Sequence, residues 1–243
     1  MASKSKIQRV IALLSGEVPA PQQVSGKRDA LDVLIATKLS QNTTDKTSYR
    51  AFENLKNDIG GWEDVRNAPI EKIRKAIRVC GLANQKAKSI KELLKRLDKD
   101  SGKLSLDYIN KMSDEEIYDD LLRYDGIGLK TISCVLAFAL GRDVFPVDTH
   151  VHRLCNRLGF VSTSTADKTF EEMKDKIPEG QKFLLHTLLI RFGRKVCRSN
   201  NPLCASCVLY KECAFPEKAY YRKTQAGSSM LPKENNFIIL EHV

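Results

Sequence analysis

At 243 residues the chain suffices for one large domain or two small ones sharing a core, and its 40 Lys and Arg against 30 Asp and Glu leave a formal charge of +10. That surplus favours an anionic partner such as nucleic acid, because basic side chains release counterions from a phosphate backbone, although a basic protein without such a partner has the same composition. No segment approaches the ~20 apolar residues that span a bilayer. The opening MASKSKIQRVIALLSGEV is interrupted by Lys, Gln and Arg and closed by Gly16-Glu17, as an amphipathic helix would be, so an intracellular protein is expected.

In chain order, the apolar spacing is helical. Leu31, Leu34, Ile35 and Leu39 outline one helix, Tyr49, Phe52 and Leu55 a second, and Ile70, Ile73 and Ile77 a third. Ser113-Asp114-Glu115-Glu116 reads as a capping box, the serine hydroxyl and the glutamate carboxylate each satisfying the other's backbone donor. The helix it opens, Glu115 to Arg123, stops at Tyr124-Asp125-Gly126, and another runs from near Gly128 to Leu140. The unbroken apolar stretch Thr131 to Leu140 suits a helix buried on most sides. Further helices are predicted over 148–158, 165–176 and 180–194. No segment sustains the alternation of a half-buried strand and no repeat is evident, which makes the fold class all-α. After Cys213 the composition shifts, and the tail Ala219 to Val243 ends in Asn236-Phe237-Ile238-Ile239-Leu240. That ending suits a paired strand, a partner-binding segment or an ordinary tail.

Three groups of residues carry chemistry. The first is Gly126-Ile127-Gly128, a turn between two helices. Glycines there permit a tight turn and let a phosphate reach the N–H groups at the start of the next helix without meeting a Cβ. Lys130 and Thr131 follow on that helix's first turn, where the positive end of the helix dipole disfavours an ammonium ion. A lysine amine so placed is a usable nucleophile, able to form a Schiff base with a sugar carbon; the commoner fate of a lysine is the solvated surface. The second group is Phe145-Pro146-Val147-Asp148-Thr149-His150, in which Asp148 sits where a helix begins. Capping is the common role for such an aspartate. The helix from Lys130 to Leu140 rises roughly 15 Å at 1.5 Å per residue, and the return to Asp148 spans up to about 25 Å when extended. Asp148 can therefore come back level with Lys130, where a carboxylate would stabilise cationic charge on a deoxyribose ring or accept a proton.

The third group is made of cysteines. Of seven, Cys80, Cys134 and Cys155 lie among apolar neighbours and read as buried thiols. The other four, Cys197, Cys204, Cys207 and Cys213, crowd together as Cys-x6-Cys-x2-Cys-x5-Cys. An odd total argues against a disulfide framework. Zinc sites more often use two close Cys-x2-Cys pairs, and only one occurs here, so the uneven spacing suits four ligands around a four-iron–four-sulfur (4Fe–4S) cluster. Arg191, Arg194, Lys195 and Arg198 stand beside the first cysteine, facing DNA phosphates or simply solvating their helix.

These residues resemble the endonuclease III branch of the helix-hairpin-helix DNA glycosylases from about Ala30 to Cys213. The shared parts occur in order: Leu39-Ser40-Gln41-Asn42-Thr43-Thr44-Asp45, Gly81-Leu82-Ala83-Asn84-Gln85-Lys86-Ala87, Gly126-Ile127-Gly128-Leu129-Lys130-Thr131, Val147-Asp148-Thr149-His150 and the cysteine loop. The cysteine spacing and the 18-residue step from Lys130 to Asp148 match the family's arrangement. The resemblance implies a two-lobed fold: a helical barrel lobe over 28–140 with the hairpin, a cluster lobe over 1–27 and 141–215, and a tail over 216–243. It implies duplex DNA with damaged bases or abasic sites as partner, a monomer, and work in the nucleoid or nucleus. The implied chemistry is bifunctional: an oxidised pyrimidine is flipped out, Lys130 attacks its sugar carbon, and β-elimination breaks the 3′ phosphate bond. Asp148 matches the essential aspartate, the four cysteines match the ligands of a 4Fe–4S cluster, and Gly126, Gly128, Thr131 and His150 fall on the DNA-binding side. Either Gln41 or Asn42, depending on a one-residue register, falls where the family fills the gap left by the flipped base. Leu82 matches the wedge on the opposite side. For all three, packing inside the barrel is the alternative.

Three departures bear on lesion preference and DNA contact. Tyr124-Asp125 replaces the usual Leu-Pro before the hairpin glycines, Ala83 stands where many members have an aromatic residue, and 198–203 holds a single basic residue, Arg198. Leu34 to Gln41 contains no glutamate, which disfavours the adenine-removing relatives. The open alternatives are excision of mismatched thymine or uracil, excision of 5-methylcytosine, and a non-catalytic cluster-bearing DNA-binding or redox-sensing protein.

Overall fold

The computed structural model describes residues 4–19, 28–225 and 238–243, and among them every regular element is helical, with no strand. The α-helices in chain order are α1 (Lys4–Ser15), α2 (Ala30–Leu39), α3 (Asp45–Asp58), α4 (Trp62–Asn67), α5 (Ile70–Ala76), α6 (Ala83–Ser101), α7 (Asp114–Leu121), α8 (Leu129–Cys134), α9 (Thr149–Arg157), α10 (Ala166–Met173), α11 (Lys182–Lys195) and α12 (Lys218–Thr224). The described residues fall into two compact units, one of 28–142 with 238–243, the other of 4–19 with 143–225.

The first unit is organised around α2. Its residues are buried on every side except at Asp32, and it packs against α3, α6 and α8. A helix apolar all round belongs at the centre of its neighbours. The Asp29 carboxylate caps it by accepting from the N–H groups of Leu31 and Asp32. Asp32 in turn accepts from Lys56 Nζ at 2.7 Å and Trp62 Nε1 at 2.6 Å, which ties α3 and α4 to it. The expected capping box is present at α7: the Ser113 hydroxyl accepts from Glu116 N, and the Glu116 carboxylate from Ser113 N at 2.7 Å.

Three features differ from the sequence reading. The helix expected to run to Leu140 is α-wound only through Cys134 and π-wound over Val135–Ala139, all of it buried. The longest helix, α6, has no polar capping residue to announce it, because Leu82 occupies that position. The tail over 216–243 does not stand apart. Helix α12 belongs to the second unit, whereas Ile238, Ile239 and Leu240 are 3%, 1% and 5% exposed against α2 and α3 of the first. They make a single 3-10 turn there and not a strand, with Ile239 N–H donating to the Asp45 carboxylate at 3.2 Å. Burying three aliphatic side chains, each worth about 2 kcal/mol, outweighs a free end. Residues 236 and 237 lie outside the described residues.

The second unit packs α9 and α1 against α11. Gly193 permits the close approach of α9 and α11: a Cβ there would lie 3.2 Å from His150 Cβ and Leu154 Cδ1. Lys6 Nζ donates to Leu158 O at 2.6 Å, and Arg9 pairs with Glu212, so α1 joins both α9 and the cysteine loop.

Candidate active site and cysteine loop

The turn between α7 and α8 points its apolar side chains inward. Tyr124 is 2% and Ile127 6% exposed, while Gly126 and Gly128 lie at the surface. Tyr124 replaces the expected leucine without leaving its hydroxyl stranded, since that group donates to Asp100 Oδ2 at 3.3 Å. Gly126 has φ 73°, a left-handed conformation that disfavours any residue with a Cβ. Its carbonyl accepts from Lys38 Nζ at 3.1 Å, a cation carried by the buried face of α2. Burial lowers the Lys38 pKa, opposed by the neighbouring charge of Asp125. Gly128 precedes the first residue of α8, and a Cβ on it would meet nothing within 4 Å, so the backbone there is open to a large ligand.

Lys130 is half-buried in the first turn of α8. Thr131 does not share the surface: it is 3% exposed and its N–H donates to Gly128 O at 2.9 Å. The DNA-facing role expected for Thr131 is withdrawn, because the helix turns that side chain into the unit. Gln41, Asn42 and Leu82 are all exposed in the first unit, Leu82 at 50%, so packing inside the barrel does not account for them. Asn42 and Leu82 have φ 54° and 49°, a left-handed conformation that asparagine tolerates and that is strained for leucine.

In the second unit Asp148 caps α9, its Oδ1 accepting from Val151 N at 2.8 Å. The segment before it is held by His186, which is 1% exposed and whose Nδ1 lies 2.7 Å from Pro146 O. His150, half-buried in the first turn of α9, has Nδ1 3.1 Å from Arg153 Nη2. Arg153 and Arg157, one turn apart, connect this helix to the cysteines. Arg153 donates to Gly193 O and Cys197 O, both at 3.0 Å. Arg157 donates to Arg198 O at 2.7 Å and to Cys197 Sγ at 3.4 Å, while its guanidinium lies 4.2 Å from the Phe215 ring centroid. The sequence reading missed both arginines. Their i, i+4 spacing in THVHRLCNR, on the helix that Asp148 opens, was the available signal.

None of the seven cysteines is in a disulfide, and Cys80, Cys134 and Cys155 are buried as expected. The four of the loop lie within electrostatic range of one another. Burial, with the charges of Cys197, Cys213 and Cys204 adding, pushes Cys207 up to about 12, and burial raises Cys204 and Cys213 too. Phe215 N donates to Cys213 Sγ at 3.4 Å. Among the described residues no group of three or more His, Cys, Asp or Glu side chains is closed into a metal-binding arrangement. The donor set nevertheless fits a soft metal centre: four thiols in one loop, with N–H donors to the sulfurs of Cys197 and Cys213.

Two helices joined by a Gly-x-Gly turn, in a chain whose described residues form only helices, fit the helix-hairpin-helix class. The HhH-GPD superfamily base excision DNA repair protein family matches residues 35–179. A protein of Arabidopsis thaliana bearing a DNA glycosylase name is 44% identical over 172 residues, 70% of this chain, which spans 58% of that relative's length. Endonuclease III of Sulfolobus acidocaldarius is 36% identical over 196 residues, 79% of this chain and 85% of the relative. A structure of a trapped endonuclease III–DNA covalent intermediate superposes with a TM-score of 0.76 at 27% identity, covering 90% of this chain and 100% of the other. The chain belongs to the endonuclease III family of HhH-GPD base excision DNA repair proteins.

Proposed function

We propose that the protein is a bifunctional DNA glycosylase and abasic-site lyase that removes oxidised pyrimidines from duplex DNA. The observation that carries this reading is Lys130 in the first turn of α8, immediately after a surface turn whose Gly128 leaves backbone open to a phosphate. The trapped covalent endonuclease III–DNA intermediate, a structural neighbour, supports an enzyme–DNA adduct as a step. Lys130 Nζ attacks C1′ of the flipped nucleotide, the C1′–N bond breaks, and the base leaves with a proton; the C1′–O4′ bond of the resulting aminal then opens, O4′ taking the proton that Nζ gives up, so that C1′ and Nζ are joined as a Schiff base. The resulting Schiff base makes the C2′ proton acidic; its loss drives β-elimination of the 3′ phosphate. Asp148 acts with Lys130, its carboxylate offsetting cationic charge on the sugar. Gln41 or Asn42 and Leu82 occupy the gap in the stack, and the exposure of all three suits that use.

Cys197, Cys204, Cys207 and Cys213 would hold a 4Fe–4S cluster through their thiolates, which would tie the loop 197–213 together. Purified protein is expected to carry about four iron and four acid-labile sulfides per chain with a brown absorbance. Zinc alone, in protein that has stayed intact in air, would remove the cluster from this account. No helix among the described residues is long and apolar enough to cross a membrane; duplex DNA as substrate suits work in the nucleoid or nucleus.

The deciding experiment is borohydride trapping on duplex DNA containing thymine glycol, with an abasic-site duplex in parallel. Adducts on both are expected. An adduct on the abasic duplex alone keeps the lyase and moves the substrate to mismatched or methylated bases, and no adduct on either leaves a DNA-binding protein without this chemistry.

A further inference from the structure

Lys86 is 6% exposed on the first turns of α6, and its ammonium is fully committed. Nζ donates to Leu39 O at 2.8 Å and to Cys80 O at 3.0 Å, and lies 3.7 Å from Cys80 Sγ. These atoms use the three N–H groups a lysine has. Leu39 ends α2, and Cys80 ends the 3-10 turn Arg78–Cys80. Each carbonyl therefore stands at the last ordered residue before an exposed loop, with Ser40-Gln41-Asn42 after the first and Gly81-Leu82 after the second.

Three non-glycine residues among those described have positive φ: Asn42, Leu82 and Asn201. Two of the three follow the carbonyls that Lys86 holds, at a distance of three residues for Asn42 and two for Leu82. A left-handed backbone at an exposed leucine persists only where the surroundings over-determine it, and no burial of its own side chain does so here. A buried cation with two carbonyls as partners is likewise an uneconomical way to fill a core, because an aliphatic residue would need no desolvation of charge. Both anomalies are resolved if the ammonium fixes the spacing of the two loops.

We propose that Lys86 is a positioning residue that sets the separation of Asn42 and Leu82, so that both enter the DNA stack together when a nucleotide is flipped out. The inference rests on the base-flipping reading above and names a device that serves it. Lysine suits the position because one rotatable point charge directs donors at two loops at once, which a planar guanidinium cannot do from the same place.

The test uses the full-length protein with Lys86→Met, which keeps the apolar stem and removes the donors. On duplex DNA carrying a stable tetrahydrofuran abasic analogue, 2-aminopurine on the opposite strand reports unstacking by the inserted side chains. Wild-type protein at saturation is expected to raise its fluorescence and Lys86→Met to lose most of that rise. Borohydride trapping on the abasic duplex is expected to fall about tenfold or more, the scale of misplacement by about an ångström. Trapping on single-stranded abasic DNA, which has no stack to fill, stays within about twofold. Adding Lys86→Met to Leu82→Gly is expected to cost at most a further factor of about two on duplex, since the two act through one another. A full fluorescence rise in Lys86→Met overturns the proposal. So does a parallel loss on both DNAs alongside a lowered Tm, which would make Lys86 an ordinary stabiliser. If Lys86→Met does not fold, Lys86→Arg keeps the charge and is expected to show the same split between duplex and single strand. Wild-type protein that raises the fluorescence yet traps nothing would sink the enzymatic reading and leave the brace standing.

Discussion

Lys130→Gln is expected to abolish covalent trapping and strand cleavage, a loss of at least about 10,000-fold, because a carboxamide nitrogen cannot form a Schiff base. DNA affinity should change little by comparison. One cationic contact at most is removed, and the slope of log affinity against log salt should become shallower by no more than about 1. The substitution is mild for the fold: Lys130 is only half-buried, it lies in the first turn of α8, and glutamine is a comparable helix former. The split between chemistry and binding is what gives the measurement its force. Affinity retained with chemistry lost identifies the nucleophile, whereas undiminished cleavage would send the role to another amine. A fall in affinity as large as the fall in cleavage would make Lys130 a phosphate contact and favour the non-catalytic reading.

Helices α7 and α9 were legible because their ends carry side-chain caps. Ser113 with Glu116 at α7 and Asp148 at α9 are local hydrogen bonds that need no tertiary knowledge. Helix α6 went unannounced for the opposite reason. It begins at a left-handed leucine, a conformation that leucine does not favour and that residue preference therefore does not announce. The π-winding of Val135–Ala139 is equally invisible to periodicity, because every side chain in it is buried and the neighbours rather than the pattern choose the winding. The final hexapeptide looked like a tail since nothing within it says which surface it will cover.

At the candidate site, residue types and spacings were legible, and the contacts that hold them were not. Residue type and spacing pointed to Lys130, Asp148 and the four cysteines. Lys38 behind the hairpin, His186 behind Pro146, and Arg153 and Arg157 between α9 and the cysteine loop each hold a backbone carbonyl, whatever side chains they also touch. A carbonyl is present at every residue, so the sequence gives no sign of which one will be held. Thr131 shows the converse error: a polar residue on the right helix faces the wrong way by one position.

Asp148 caps α9 and is proposed to act with Lys130, and a pair of substitutions pulls these two roles apart. Its carboxylate caps α9 through Val151 N, and asparagine caps about as well, so Asp148→Asn should retain most of the stability. What it loses is the favourable charge at a helix N-terminus, worth roughly 0.3–1 kcal/mol. Turnover should nonetheless fall about 100-fold or more, because a neutral amide cannot offset the charge that grows on the sugar. Asp148→Ala removes cap and charge together and is expected to show the same catalytic loss plus about 1 kcal/mol of instability, read from denaturant midpoints. Equal activity in Asp148→Asn and wild type would reduce Asp148 to a cap. A collapse of Asp148→Asn to the stability of Asp148→Ala would show instead that the negative charge is itself structural, with Arg153 the cation within its electrostatic reach, and that binding the flipped sugar must draw on the same interaction that holds α9 to the cysteine loop.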